Sequence, residues 1–128
     1  MNSNNFNVLI VDDDKGIREF LAELCATNGY RADVAANGAE ALKIMQRNGS
    51  YDLIITDYMM PEMNGAEFVS LARKDSADVP IIAMSACADV EGSLMKAGAY
   101  LFLKKPFDPY VLEREIELLT RNTQMKDL

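Results

Sequence analysis

No histidine occurs among the 128 residues. Its absence excludes Ser-His-Asp catalysis, histidine-ligated zinc or haem, and proton shuttling through an imidazole, so any chemistry must run on carboxylates, hydroxyls and lysines. Cysteine is scarce as well. Cys25 and Cys87 stand far apart with no CxxC spacing, which gives no basis for a disulfide framework or a thiolate metal site. No apolar run approaches the roughly 20 residues that cross a bilayer, so membrane insertion is not expected. Residues 1–5 lack the basic-then-apolar order of a signal peptide, and the expected compartment is the reducing cytoplasm. Positive charge is also in short supply. Thirteen Lys and Arg against 20 Asp and Glu leave a net charge of -7, the wrong sign for gripping nucleic acid or anionic lipid, and direct DNA binding is not expected.

What is present is ordinary for a globular protein: 49% hydrophobic and 26% charged residues. A chain of this length suits one domain and can bury roughly two-thirds of the surface its unfolded form exposes. The expected organisation is a single domain over residues 1–128, with a core of about 7–122 and no separate output domain.

Residues 6–11 form a short branched apolar run, read as a strand buried on both faces, and Asp12-Asp13-Asp14 ends it. Ile17, Phe20, Leu21, Leu24 and Cys25 then trace one helical stripe, stopped at Gly29. A weaker strand over 31–35 is followed, after Asn37-Gly38, by a helix carrying Ala41, Leu42 and Met45. The third strand is 53–56, the third helix about 66–74, the fourth strand 81–84, and a short helix over about 90–97 is weakened by Gly92. The fifth strand spans 100–103. Asp108-Pro109 caps a last helix carrying Leu112, Ile116 and Leu119, with fraying expected past Asn122. Strands alternating with helices over short turns predict a doubly wound α/β fold, a five-stranded parallel sheet with five helices on both faces. Functional groups in such a sheet gather beyond the carboxyl ends of the strands.

Those ends carry Asp12 and Asp13, then Asp57, Ser85 and Lys105. Carboxylates crowded at 4 Å repel by roughly 4 kcal/mol per pair at an effective dielectric near 20, so a cation is needed among them. Oxygen ligands without histidine favour a hard ion, Mg²⁺ over a dedicated calcium cage. Alternation lets only one of Lys104 and Lys105 face this edge, and the Lys105-Pro106 junction selects Lys105. Asp12 to Glu23 mimics a calcium loop, but its glycine falls one position early and the apolar period says helix. Ser93 to Lys96 matches SxxK without its partner motifs.

The chain resembles the receiver domain of response regulators over about residues 7–122. Four motifs carry the likeness: Val11-Asp12-Asp13, the run from Thr56 and Asp57 through Pro61 to Gly65, Met84-Ser85-Ala86, and Lys105-Pro106-Phe107. Asn64 stands where the family often has Asp. The resemblance implies the flavodoxin-like strand order 2-1-3-4-5 and a cis peptide before Pro106. It makes Asp57 the phosphoacceptor, charged by a sensor histidine kinase or histidine phosphotransfer protein. Asp13, Asp57 and the backbone carbonyl of Met59 would hold Mg²⁺, with Asp12 acting through water, while Lys105 clamps the transferring phosphoryl oxygens. Ser85 and Phe102 would form the switch, and Met59 and Cys87 would tune dephosphorylation, with no acid or amide there to orient water and therefore moderately slow self-hydrolysis.

The implied output is altered affinity of the helix 4, strand 5 and helix 5 face for a downstream protein, whether a flagellar motor component, a phosphorelay intermediate or a kinase regulated in trans. Glu91, Lys96, Tyr100, Lys104, Tyr110, Glu113 and Arg114 are the expected docking residues, on a monomer or a phosphorylation-dependent dimer. Such a protein is not a turnover enzyme beyond its own phosphorylation and dephosphorylation. The competing reading is a Mg²⁺-dependent haloacid-dehalogenase-type phosphohydrolase using Asp12 and Asp14 as a DxD pair; the usual following threonine and a late acidic strand end are missing. A flavodoxin-like nucleotide site is disfavoured because carboxylates after the first strand would repel a phosphate.

Overall fold

A computed structural model describes residues 6–126, so residues 1–5, on which the signal-peptide reading rests, lie outside the described residues. Five strands, β1 (Asn7–Val11), β2 (Arg31–Ala35), β3 (Leu53–Asp57), β4 (Ile81–Ser85) and β5 (Leu101–Lys104), form one parallel sheet in the order 2-1-3-4-5. Between and after them run α1 (Lys15–Thr27), α2 (Gly38–Asn48), α3 (Gly65–Asp75), α4 (Glu91–Ala97) and α5 (Pro109–Lys126). The doubly wound parallel sheet expected from the alternation of patterns is the one observed, with the flavodoxin-like strand order that the resemblance implied.

The alternation of side chains along each strand divides the core into two layers. Leu9, Val11, Ile54, Ile81 and Ala83 face one way and pack with Phe68, Val69 and Ala72 of α3, Met45 of α2 and Leu94 of α4. Val8, Ile10, Ile55, Ile82 and Met84 face the other way, against Leu21 and Cys25 of α1 and Leu112, Ile116 and Leu119 of α5. Strands β3 and β4 are buried along their whole length, as central strands of a covered parallel sheet must be. Burial in this interior pushes the Cys25 thiol up to about 11.

Several boundaries differ from the sequence expectation. Phe6 is buried but precedes β1. Strands β3 and β4 each take in one polar residue more, Asp57 and Ser85, because parallel pairing of Asp57 with Met84 and of Ser85 with Lys104 carries the ladder past the apolar run. The last strand is shifted by one residue: Tyr100 lies outside β5 and is 49% exposed, although its amide still donates to the carbonyl of Ile81. Phe20, expected within the buried stripe of α1, is 48% exposed, since the stripe is wider than the strip of α1 that the sheet covers. Helix α5 runs on to Lys126 instead of fraying past Asn122, with no glycine or proline after Pro109 to stop it.

Candidate functional site

The order 2-1-3-4-5 places the reversal of winding between β1 and β3, and pairing of Val11 with Thr56 brings the ends of those strands side by side. Asp12 and Asp57 therefore meet at the carboxyl edge of the sheet. Asp12 is fully buried and Asp57 is 6% exposed, whereas Asp13 is exposed at the rim. Each of the three can offer a carboxylate oxygen such that all three oxygens lie within 4.8 Å of one another. The fourth expected partner arrives from β5. Lys105 Nζ lies 3.0 Å from Asp57 Oδ1 and 3.4 Å from Asp12 Oδ2, with its own side chain 21% exposed.

The local sequence explains how each group is held. Asp12 Oδ1 accepts from the amide of Asp14 at 2.9 Å, and Asp14 Oδ1 in turn accepts from the amide of Ile17, capping α1. Asp14 thus serves the helix and is not among the three clustered carboxylates, which removes the DxD pair of the phosphohydrolase reading. Lys104 is exposed and Lys105 turns inward, its amide donating to the carbonyl of Ser85, and the Lys105-Pro106 peptide is cis as the resemblance implied.

After β3 the chain must turn away without leaving the edge. Gly65 permits this by close approach: a Cβ there would stand 2.7 Å from the carbonyl oxygen of Asp57 and 2.7 Å from Cα of Tyr58. Asn64 and Glu67 form a reciprocal capping box that fixes the start of α3 against the same turn.

Burial pushes the Asp57 carboxyl above the ordinary carboxylate range; hydrogen bonding from Lys105 pulls it back, and the nearby Asp12 charge pushes it up again. Burial acts on the Lys105 ammonium in the opposite sense, yet the charges of Asp57 and Asp12 outweigh it and hold its pKa above the usual lysine value. The pocket is short of positive charge: two buried carboxylates and a third at the rim share one lysine. Oxygen-only donors at this spacing fit a hard divalent cation.

Ser85 is 1% exposed, and its hydroxyl oxygen accepts from the amide of Cys87 at 3.0 Å. Cys87 is an exposed free thiol, and Met59 is 65% exposed two residues beyond Asp57. Phe102 is half-buried against the layer that contains Leu94. Of the expected docking residues, Glu91, Lys96, Tyr100, Lys104, Tyr110 and Arg114 are exposed. Glu113 does not belong with them: it is half-buried and accepts from Asn28 at the end of α1, because its position on α5 faces that neighbour. Sequence reasoning also missed an apolar hollow beside Lys105, formed by Ile17, Phe20, Met84, Ala86, Pro106 and Phe107.

A parallel sheet with a carboxylate cluster at its switch point and a lysine reaching in from the edge strand defines a receiver-type α/β domain of two-component signal transduction. The family's model matches residues 8–117, and the chain belongs to the response regulator receiver domain family. It is 39% identical to a probable transcriptional regulator ycf27 of Cyanidium caldarium, over 98% of this chain and 51% of that protein. The chain spans about half the length of the curated relatives it matches. Among solved structures, the chemotaxis protein CheY4 of Vibrio cholerae superposes with a TM-score of 0.82 at 33% identity, covering 89% of this chain and 98% of that one. The response regulator TrrA of Thermotoga maritima, solved in complex with Mg²⁺ and BeF, gives 0.80 at 36% identity over 89% of this chain and 98% of its own.

Proposed function

We propose that this chain is a phosphoryl-accepting switch acting as a single domain, with Asp57 as the acceptor. The observation that carries the reading is the contact of Lys105 with both Asp57 and Asp12 in a pocket that still has more carboxylates than cations. A carboxylate oxygen of Asp57 attacks the phosphorus of a phosphohistidine on a sensor kinase or phosphotransfer protein; the O–P bond forms, the N–P bond breaks, and the leaving imidazole recovers a proton. Lys105 then moves its charge toward the phosphoryl oxygens. Asp13, Asp57 and the carbonyl of Met59, with Asp12 through water, would hold Mg²⁺, which when bound offsets charge on the transferring group.

The buried Ser85 hydroxyl, bonded as an acceptor to Cys87, retains its own proton for donation to a phosphoryl oxygen. Its movement would draw the loop before α4, and Phe102 would fill the space vacated, altering the face of α4, β5 and α5 that meets a protein partner. The site is expected in the cytoplasm, on a monomer or a phosphorylation-dependent dimer. With Met59 and Cys87 offering no acid or amide to orient water, self-hydrolysis is moderately slow.

Incubation with acetyl phosphate and Mg²⁺, followed by intact mass measurement, tests this. One phosphate increment is expected, absent in Asp57→Asn. No increment, or one that survives the substitution, overturns the reading.

A further inference from the structure

Arg18 stands in the first turn of α1, where the helix dipole disfavours a cation, and its guanidinium does not form an ion pair among those found in the described residues. Its Nη1 instead reaches back 2.8 Å to the backbone carbonyl of Asp12. The other atoms of Asp12 are already fixed: the amide donates to Ala35, Oδ1 accepts from Asp14, and Oδ2 faces Lys105. The carbonyl is the remaining group, and because the peptide unit is planar, holding it fixes the amide of Asp13 and the position of the Asp13 Cα from which its carboxylate extends. Asp13 is the exposed member of the three-carboxylate cluster, and it lacks the burial that fixes the other two.

We propose that Arg18 is a positioning residue for cation binding: by holding the Asp12 carbonyl it orients the Asp13 carboxylate toward Asp57. This rests on the phosphoryl-switch reading only for its consequence, since the orientation of Asp13 is a property of the unphosphorylated protein.

Charge and position predict opposite signs. If Arg18 acted only as a nearby positive charge, neutralising it would tighten cation binding; if it orients a ligand, the same change loosens binding. Mn²⁺ is the probe, followed through the spin resonance of the free ion, on the whole chain. Arg18→Met is expected to raise the Mn²⁺ dissociation constant about tenfold, as loss of a group supporting a metal ligand does. Arg18→Lys, which keeps the charge without the planar fork, is expected to raise it about threefold. In acetyl phosphate labelling, Arg18→Met should need more Mg²⁺ for half-maximal rate while reaching the wild-type rate at saturating Mg²⁺. Mn²⁺ binding by Arg18→Met that is unchanged or tighter overturns the proposal. Should that variant fail to fold by circular dichroism, unchanged binding by Arg18→Lys overturns it equally. Wild-type protein that takes no phosphate, alongside weakened Mn²⁺ binding in the variants, would sink the phosphoryl reading and leave this one standing.

Discussion

The loops that follow β3 and β4 both border the acid pocket, yet they are built to opposite standards. After β3, Gly65 lies in backbone contact with Asp57 and Tyr58, Asn64 and Glu67 close a capping box, and α3 buries Phe68, Val69 and Ala72. After β4 the chain passes through exposed Ala86 and Cys87 into a 3-10 turn, Ala88–Val90, with no side-chain cap, and α4 buries Leu94 alone. At its far end α4 is tied down, because the Arg73 guanidinium of α3 donates to the carbonyl of Gly98. A closely packed loop follows Asp57 at the end of β3, and a weakly held one follows Ser85 at the end of β4. Local opening concentrates where buried contacts and caps are few, which suits the second loop to moving and the first to staying.

Breaking the rigid side should have the largest effect. Gly65→Ala would drive a methyl group into two backbone atoms and cost about 2–3 kcal/mol in urea unfolding, with slower phosphorylation because Asp57 shifts. A cost below the range of ordinary surface substitutions would show that the turn is not locked.

The next experiment asks what that rigidity holds in place. Because the Asp57 carboxyl pKa is raised by burial, the folded state binds its proton more tightly than the unfolded chain does, and the charge destabilises the fold as pH rises through the carboxylate range. Asp57→Asn should therefore be more stable than wild type at pH 7 by roughly 1–2 kcal/mol without divalent cation, the gap closing as pH falls from the raised Asp57 value to the ordinary aspartate value and staying closed below it. A gap that widens in acid would mean that Lys105 outweighs desolvation.

The finest comparison sets one cap against another. Asn64→Ala removes the α3 cap and should cost ~1 kcal/mol. Cys87→Ser, at an extended position ready to cap the 3-10 turn, should gain only a few tenths of a kcal/mol and slow hydrogen exchange in α4. Equal protection of α3 and α4 amides in the wild type would erase the contrast between the loops.

Much of this was legible in the sequence for reasons of period and punctuation. The 3.6-residue stripe of α5 gave Leu112, Ile116 and Leu119, all buried, and the Lys105-Pro106 junction separated the inward lysine from Lys104. Errors fell where neighbours decide. Phe20 continued the helical stripe but lies beyond the sheet's cover, and Glu113 pointed to α1 because of how α5 is rotated. Strand ends ran one residue long because pairing, not hydrophobicity, ends a parallel strand.

By itself the sequence determined the alternating architecture and the residue types at the strand ends, since both follow from patterns only a few residues long. Tertiary structure alone decided that Asp12 is buried while Asp13 stays at the rim, that a side chain at Gly65 would collide with the Asp57 carbonyl, and that Arg18 holds the Asp12 carbonyl. The physical reason is range: the pocket depends on distances such as that between Lys105 and Asp12, which lie 93 residues apart and meet only through the register of the sheet.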